Sequence, residues 1–206
     1  MDRDALLDAV RARAAVSDHP LVIGISGYCG SGKSTLARGL VAALPDGVRM
    51  RGDDFLDPER SHRRSPDWDG VDRERLVSTV LTPFRAGRPS DFRRYDWSRR
   101  ALGPAEPIPR AGILVVDLIG LFHPEALPAL DMTVWCDVDL ETAARRGIAR
   151  DRRLGRDHEA LWHDVWLPNE LDFAERFRPQ AAVDARVDCA SSVRDGSRRP
   201  ESASPS

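Results

Sequence analysis

Lysine is almost missing from this chain of 206 residues: of its 31 basic side chains one, Lys33, is a lysine, and all the others are arginines. A background that favours arginine wherever either cation would serve implies that position 33 needs a compact ammonium rather than a planar guanidinium. Cysteine is nearly as scarce. Cys29, Cys136 and Cys189 are odd in number and far apart, with no C-x-x-C pair. That pattern excludes a disulfide framework and a thiolate zinc site, and it suits a reducing cytoplasm. Charge of one sign is lacking too, since 31 basic residues face 33 acidic ones, and nothing in that balance calls for nucleic acid. No apolar run approaches the length needed to cross a bilayer. The first sixteen residues carry Asp2, Asp4, Asp8 and three arginines, which is unlike a signal peptide. The expectation is a soluble, cytoplasmic protein with no membrane and no nucleic-acid partner.

What is present is a hydrophobic content of 41%, enough for one core, patterned as alternating strands and helices. Leu6, Leu7, Val10 and Ala14 recur at helical spacing, so residues 1–16 hold a leading helix. Leu21–Ser26 reads as a buried parallel strand, and Ser34–Leu44 as a helix closed by Pro45-Asp46-Gly47. A brief strand follows at Val48–Met50, then a polar loop over Asp57–Trp68 and a helix over Asp72–Arg85. Gly87–Pro109 is rich in Arg, Pro and Gly and suggests an irregular excursion or short hairpin. Ile113–Asp117, Met132–Cys136 and Ala181–Val187 are further strands, separated by helices over Leu140–Asp151 and His158–Arg176. The Ser/Arg/Pro-rich segment 191–206 is expected to be disordered, which leaves 1–190 as one domain. This order predicts an α/β fold, a parallel sheet of five strands with helices on both faces.

The sharpest motif is Gly27-Tyr28-Cys29-Gly30-Ser31-Gly32-Lys33-Ser34, a full G-x-x-x-x-G-K-[ST] between a strand and a helix, which is the context a P-loop requires. Its glycines let backbone N–H groups converge on phosphate oxygens, and the next helix adds its positive end. Residues 27–35, Thr35 included, are therefore the candidate ATP site. Lys33 would bridge the outer phosphates and Ser34 would offer its hydroxyl to Mg²⁺. Cys29 lies inside this loop, where a thiolate would be prone to oxidation. Asp53 and Asp54 follow the second strand, where parallel strands end beside the P-loop, and α/β folds place ligands at such carboxyl ends. One of them could take a proton from an acceptor hydroxyl or hold Mg²⁺; the alternative is a solvated turn. Asp117 ends an apolar strand as a Walker-B carboxylate would, a third candidate for the metal; a turn or capping aspartate is the alternative. Arg145, Arg146, Arg150, Arg152, Arg153 and Arg156 form a cluster over 145–157. A few of them suit a lid that neutralises charge during phosphoryl transfer, and the rest a solvated helix face. Asp69, Tyr95, Asp96 and Trp97 could frame a flat ring and a sugar hydroxyl, or anchor loops to the core.

Taken together, Gly24-Ile25-Ser26-Gly27, Asp53-Asp54-Phe55, Trp68-Asp69, Tyr95-Asp96-Trp97, Ile113–Asp117, Arg146-Gly147-Ile148-Ala149-Arg150-Asp151 and Gly155-Arg156-Asp157 resemble the uridine kinase family of P-loop kinases, related to phosphoribulokinase and pantothenate kinase. The similarity runs from about Leu21 to Val187. It implies a P-loop NTPase fold with an arginine-rich lid, ATP and Mg²⁺ as cofactors, and a small-molecule hydroxyl acceptor, a uridine- or cytidine-type nucleoside above all. It also implies Asp53 as general base, Asp69 on the ribose, Tyr95 and Trp97 around the base, and Arg146, Arg150 and Arg156 in the lid, with Lys33, Asp53 and Arg150 carrying the transfer. The oligomeric state stays open, a homo-oligomer included.

Three positions depart from the family pattern: Asp117-Leu118 replaces Glu-Gly, Leu56 replaces a tyrosine, and Arg100 stands where a histidine would read a pyrimidine. Arg100 suits an anionic acceptor and counts among the candidate substrate residues. Kinase chemistry survives these changes better than pyrimidine specificity does, so pantothenate, a sugar or a sugar phosphate is the alternative acceptor. A protein that binds nucleotide without catalysis is a further alternative. Asp117-Leu118-Ile119-Gly120 also fits the D-x-x-G switch of a regulatory GTPase, but the Asn-Lys-x-Asp that usually reads guanine needs a second lysine.

Overall fold

The computed structural model describes residues 1–190; the segment 191–206, expected above to be disordered, lies outside the described residues. Five parallel strands form the central sheet: β1 (Leu21–Ser26), β2 (Gly47–Arg51), β5 (Ile113–Asp117), β6 (Met132–Asp137) and β7 (Ala185–Asp188). Their order is β2-β5-β1-β6-β7, so the strand that feeds the P-loop sits in the middle. Helices α1 (Arg3–Val16), α2 (Lys33–Ala42), α3 (73–85), α4 (Leu140–Arg153) and α5 (159–177) surround it. The region 87–109 resolves into an antiparallel hairpin of β3 (Asp91–Asp96) and β4 (Ala101–Pro107) outside the main sheet. The last strand is shorter than its apolar pattern suggested. Asp184 turns its carboxylate onto the N–H and hydroxyl of Thr133, and pairing begins at Ala185.

Every residue of β1 and β5 is buried, which is why both read as unbroken apolar runs. Alternate side chains feed two separate cores. Ile23, Ile25, Val115 and Val134 pack with Leu6, Val10, Leu36 and Leu40 on the α1/α2 face. Val22, Leu114 and Val116 pack with Phe55, Trp68, Leu76, Leu81 and Phe173 on the other. Helix starts are set by side-chain caps: Asp2, Asp72 and Asp139 accept hydrogen bonds from the N–H groups of Ala5, Arg75 and Thr142. Helices α3 and α5 each contain a wide π turn, Val77–Leu81 and Trp162–Trp166, just ahead of Pro83 and Pro168. A proline ring clashes with the carbonyl four residues back and leaves it without a donor, and widening the turn relieves both.

Register brings the strand ends together. Ile25, Asp117 and Arg51 lie side by side across β1, β5 and β2. A Cβ on Gly52 would stand 2.5 Å from the Asp117 carbonyl oxygen, so the chain leaving β2 crosses the exit of β5 in direct contact. That crossing sets Asp53 next to the Asp117 corner.

Candidate phosphate-binding and phosphoryl-transfer site

The loop from β1 to α2 is built on positive φ angles, 150° at Gly27, 87° at Gly30 and 106° at Gly32, which only glycine adopts without strain. Gly30 is also sterically obligatory, because an added Cβ would lie 2.1 Å from the backbone oxygen of Ala143 on α4. Helix α2 opens at Lys33 behind Gly32 with no side chain capping it. Its first N–H groups are therefore available to an anion, as is the positive end of its dipole. The Lys33 ammonium is buried and donates to the carbonyls of Gly27 and Tyr28, each at 2.8 Å, bracing the loop from within. Tyr28 in turn meets Trp135 of β6 edge-on, with ring centroids 5.4 Å apart. Burial pushes the Cys29 thiol up to about 11, against the pull of Lys33. The thiol is thus held protonated, and the oxidation-prone thiolate expected from its position is disfavoured.

At the end of β5, Asp117 is buried and receives three short hydrogen bonds. Ser34 Oγ donates to Oδ2 at 2.6 Å, Arg49 Nε to Oδ1 at 2.6 Å, and Arg49 Nη2 to Oδ2 at 2.8 Å. A hydroxyl and a carboxylate this close form the hard-oxygen pair that suits Mg²⁺, which takes its remaining ligands from phosphates and water. Among the described residues no three His, Cys, Asp or Glu side chains converge as a metal cage, so any cation would depend on such outside ligands. Arg49 bonds both carboxylate oxygens and so competes with a cation for Asp117, more at Oδ2, which also accepts from Ser34, than at Oδ1, which accepts one bond.

The two aspartates after β2 diverge. Asp54 is buried, its carboxylate 3.4 Å from Arg94 of the hairpin and its carbonyl bonded by Arg75. Burial raises the Asp54 pKa, with Arg51 and Arg94 opposing. The Asp53 side chain is 58% exposed, 3.9 Å from Arg51, and is the one of the pair open to a ligand.

The acceptor-side candidates sit on two loops. Asp69 is exposed at the tip of a turn fixed by Trp68, which is buried at φ 54° and packs against Gly120. Arg73 locks that turn by donating to the carbonyls of Asp67, Trp68 and Gly120. Tyr95 and Trp97 face each other edge-on at 4.9 Å by the hairpin turn, with Trp97 44% exposed. Asp96 shapes the turn by accepting from the N–H groups of Ser98 and Arg99. Arg100 closes it at φ 52°, near enough to His62 to help depress the imidazole pKa, after burial and His158.

The lid candidates separate. Arg150 bonds buried Asp151 and reaches the Cys29 thiol of the P-loop. Arg156 lies 3.9 Å from the same Asp151, which also accepts from Trp162 Nε1 at 3.0 Å. Arg146 is tied to the carbonyls of Cys189 and Ala190 past β7. Arg145 and Arg152 pair with surface glutamates, the solvated-face reading. Most of 145–157 is thus the second half of α4.

Several site residues have no motif. Arg49 is a half-buried arginine on β2, the edge strand beside β5, where its charge carries no motif. Glu170, 141 residues past Cys29, is buried in the middle of α5, and its Oε1 accepts from the Cys29 N–H at 2.6 Å. His62, His158 and Trp166 cluster beside the acceptor loops, with His158 5.3 Å from Trp166.

A glycine-rich loop between a buried strand and a helix, a carboxylate on the neighbouring strand bonded to the loop serine, and a five-stranded parallel sheet make this an α/β P-loop fold. Solved structures agree. A possible uridine kinase from Bacillus stearothermophilus superimposes with a TM-score of 0.70 over 90% of this chain and 97% of its own, at 18% identity. A putative fructose transport system kinase from Silicibacter sp. TM1040 gives 0.73 over 90% and 98%, at 20% identity. By sequence the chain is similar to uridine kinases at modest identity. It shares 24% over 184 residues with the uridine kinase of Deinococcus deserti, covering 80% of this chain and 86% of that one. It shares 29% over 148 residues with uridine-cytidine kinase C of Dictyostelium discoideum, 68% of this chain but 32% of the relative, so the chain spans about a third of that protein's length. No protein-family model matches the chain.

Proposed function

We propose that this protein is an ATP-dependent kinase that transfers the γ-phosphoryl group to a hydroxyl of a small molecule, a uridine- or cytidine-type nucleoside, in the cytoplasm. The observation that carries the reading is the bond from Ser34 to Asp117 beside a complete P-loop, with the exposed Asp53 carboxylate just past the adjacent strand end, in a chain similar to uridine kinases. The P-loop amides and Lys33 hold and orient the phosphates. Ser34, Asp117 and Asp53 would hold Mg²⁺, which would supply charge neutralisation on the phosphate oxygens. Asp53 takes the hydroxyl proton, since it is the accessible carboxylate of its pair. Arg150, already at the loop, stabilises the charge that develops on the transferred group. Asp69 and the Tyr95–Trp97 pair hold the acceptor. Catalysis is then chiefly positioning and electrostatics.

A second reading keeps the chemistry and changes the acceptor to an alcohol that also carries an anionic group, such as pantothenate or a sugar phosphate. The proximity of Arg100 to His62, with His158 close by, favours it. The test is ADP production from Mg-ATP across nucleosides, pantothenate, sugars and sugar phosphates, with Lys33→Ala as blank. Turnover with uridine or cytidine supports the first reading, and turnover with an anionic alcohol alone supports the second. Asp53→Asn should keep ATP affinity while transfer falls at least about a hundred-fold; an unchanged rate would remove the base from Asp53. ATP binding without transfer to any acceptor would sink the kinase reading.

A further inference from the structure

Glu170 is a buried carboxylate whose hydrogen-bond partner is a backbone N–H of the P-loop. It is 4% exposed, and its Oε1 takes the Cys29 N–H at 2.6 Å, inside the segment whose backbone donors are shaped for anions. The groups facing it are the Lys33 ammonium from α2 and, from the P-loop, the Tyr28 phenol and the Cys29 thiol. One shell further out, Arg150 of α4 and Asp53 act on Cys29. Lys33 is shared with the two loop carbonyls, so it is only a partial counter-charge for this carboxylate. Polyphosphate binding would bring several negative charges beside a buried carboxylate and draw Lys33 towards the phosphates. Both changes disfavour the ionised acid.

We propose that Glu170 is a proton-linked positioning residue of the phosphate site, taking up one proton as nucleotide binds so that the neutral acid keeps the Cys29 N–H on one oxygen and donates its own O–H to a phosphate oxygen with the other. This rests on the P-loop reading above. No bond other than a hydrogen bond changes, and the proton comes from solvent. The arrangement converts a repulsive charge into a donor, and it makes nucleotide affinity depend on pH through a residue on α5 rather than on the loop itself. Burial pushes Glu170 up to about 7, against the pull of Lys33 and the Cys29 N–H, so the free protein holds a mixture of ionised and neutral acid near neutrality.

The experiment is calorimetry of a non-hydrolysable Mg-ATP analogue, whose phosphates are already ionised above about pH 7, in buffers of differing ionisation enthalpy. Wild-type protein should take up close to one proton per nucleotide at about pH 8, and its affinity should fall about ten-fold between pH 7 and pH 8.5. Glu170→Gln, which keeps an acceptor for the Cys29 N–H and a donor for phosphate, should take up none, show a flat profile and bind more tightly than wild type at the higher pH. Uptake in wild type that persists in Glu170→Gln assigns the proton elsewhere and overturns the proposal. So does nucleotide binding by wild type with no uptake, a measurement that needs no variant to fold. Absence of nucleotide binding altogether, with the Lys33→Ala heat matching wild type, overturns the P-loop reading and this proposal with it.

Discussion

The Arg49–Asp117 pair supports a quantitative test. Removing the cation alone, as Arg49→Met, deletes two hydrogen bonds of 2.6 and 2.8 Å and leaves a carboxylate 4% exposed with only the Ser34 hydroxyl to balance it. Stranding a buried charge in this way costs about 3 kcal/mol, or roughly 6–12 °C in Tm for a domain of this size. Replacing both partners, as Arg49→Met with Asp117→Asn, removes the stranded charge and should recover most of that loss. Asp117→Asn alone should cost about 1 kcal/mol, because Arg49, 18% exposed, can turn its head to water. Urea denaturation of the four proteins, with unchanged m-values, gives the coupling directly. A coupling energy within about 0.5 kcal/mol of zero would refute the reasoning, since it would mean that Asp117 is solvated well enough not to need Arg49.

Two further outcomes follow from the packing and the buried acid. Gly147→Ala should destabilise by about 1–3 kcal/mol, because its Cβ would stand 2.3 Å from two ring carbons of buried Trp162, and the loss should be read by thermal denaturation. The folded state favours the neutral form of Glu170, whose pKa rises from 4.5 to about 7. The stabilisation it contributes is therefore complete below its ordinary value and is lost as pH rises towards 7, roughly 3 kcal/mol in all. Stability measured against pH should show that decline in wild type and not in Glu170→Gln; parallel profiles would contradict it.

The parts of the fold legible in the sequence were those set by local chemistry. β1 and β5 were read to the residue because both faces are buried, so their apolar runs have sharp ends. The P-loop was legible because phosphate binding dictates its glycines and the helix after it. The hairpin at 91–107 was visible only as an alternative, since its strands carry Arg, Pro and Gly where a half-buried strand would alternate, and only Phe92 is buried in β3. The π turns in α3 and α5 interrupt an otherwise helical pattern, and Pro83 and Pro168 just after them are their one mark in the sequence. At the site, residues near a motif could be proposed from spacing, but the partners that tune them could not. Arg49 meets Asp117 across 68 positions, Glu170 meets Cys29 across 141, and both contacts depend on how the elements pack rather than on anything local. Arg146 shows the reverse: it sits within the lid motif, yet its guanidinium is engaged by two carbonyls at the end of β7.

The scarcity of lysine has a practical side. With Lys33 the only lysine in the chain, every reagent that acylates side-chain amines has one side-chain target here, and it lies in the P-loop. The α-amine of Met1 donates to the Arg186 carbonyl at 2.7 Å. In the purified protein, labelling at Lys33, buried and bonded to two loop carbonyls, therefore reports whether the phosphate loop is open or covered. The same fact makes amine-directed cross-linking and surface immobilisation unsuited to this chain, because any such attachment through a lysine would fall on the loop itself.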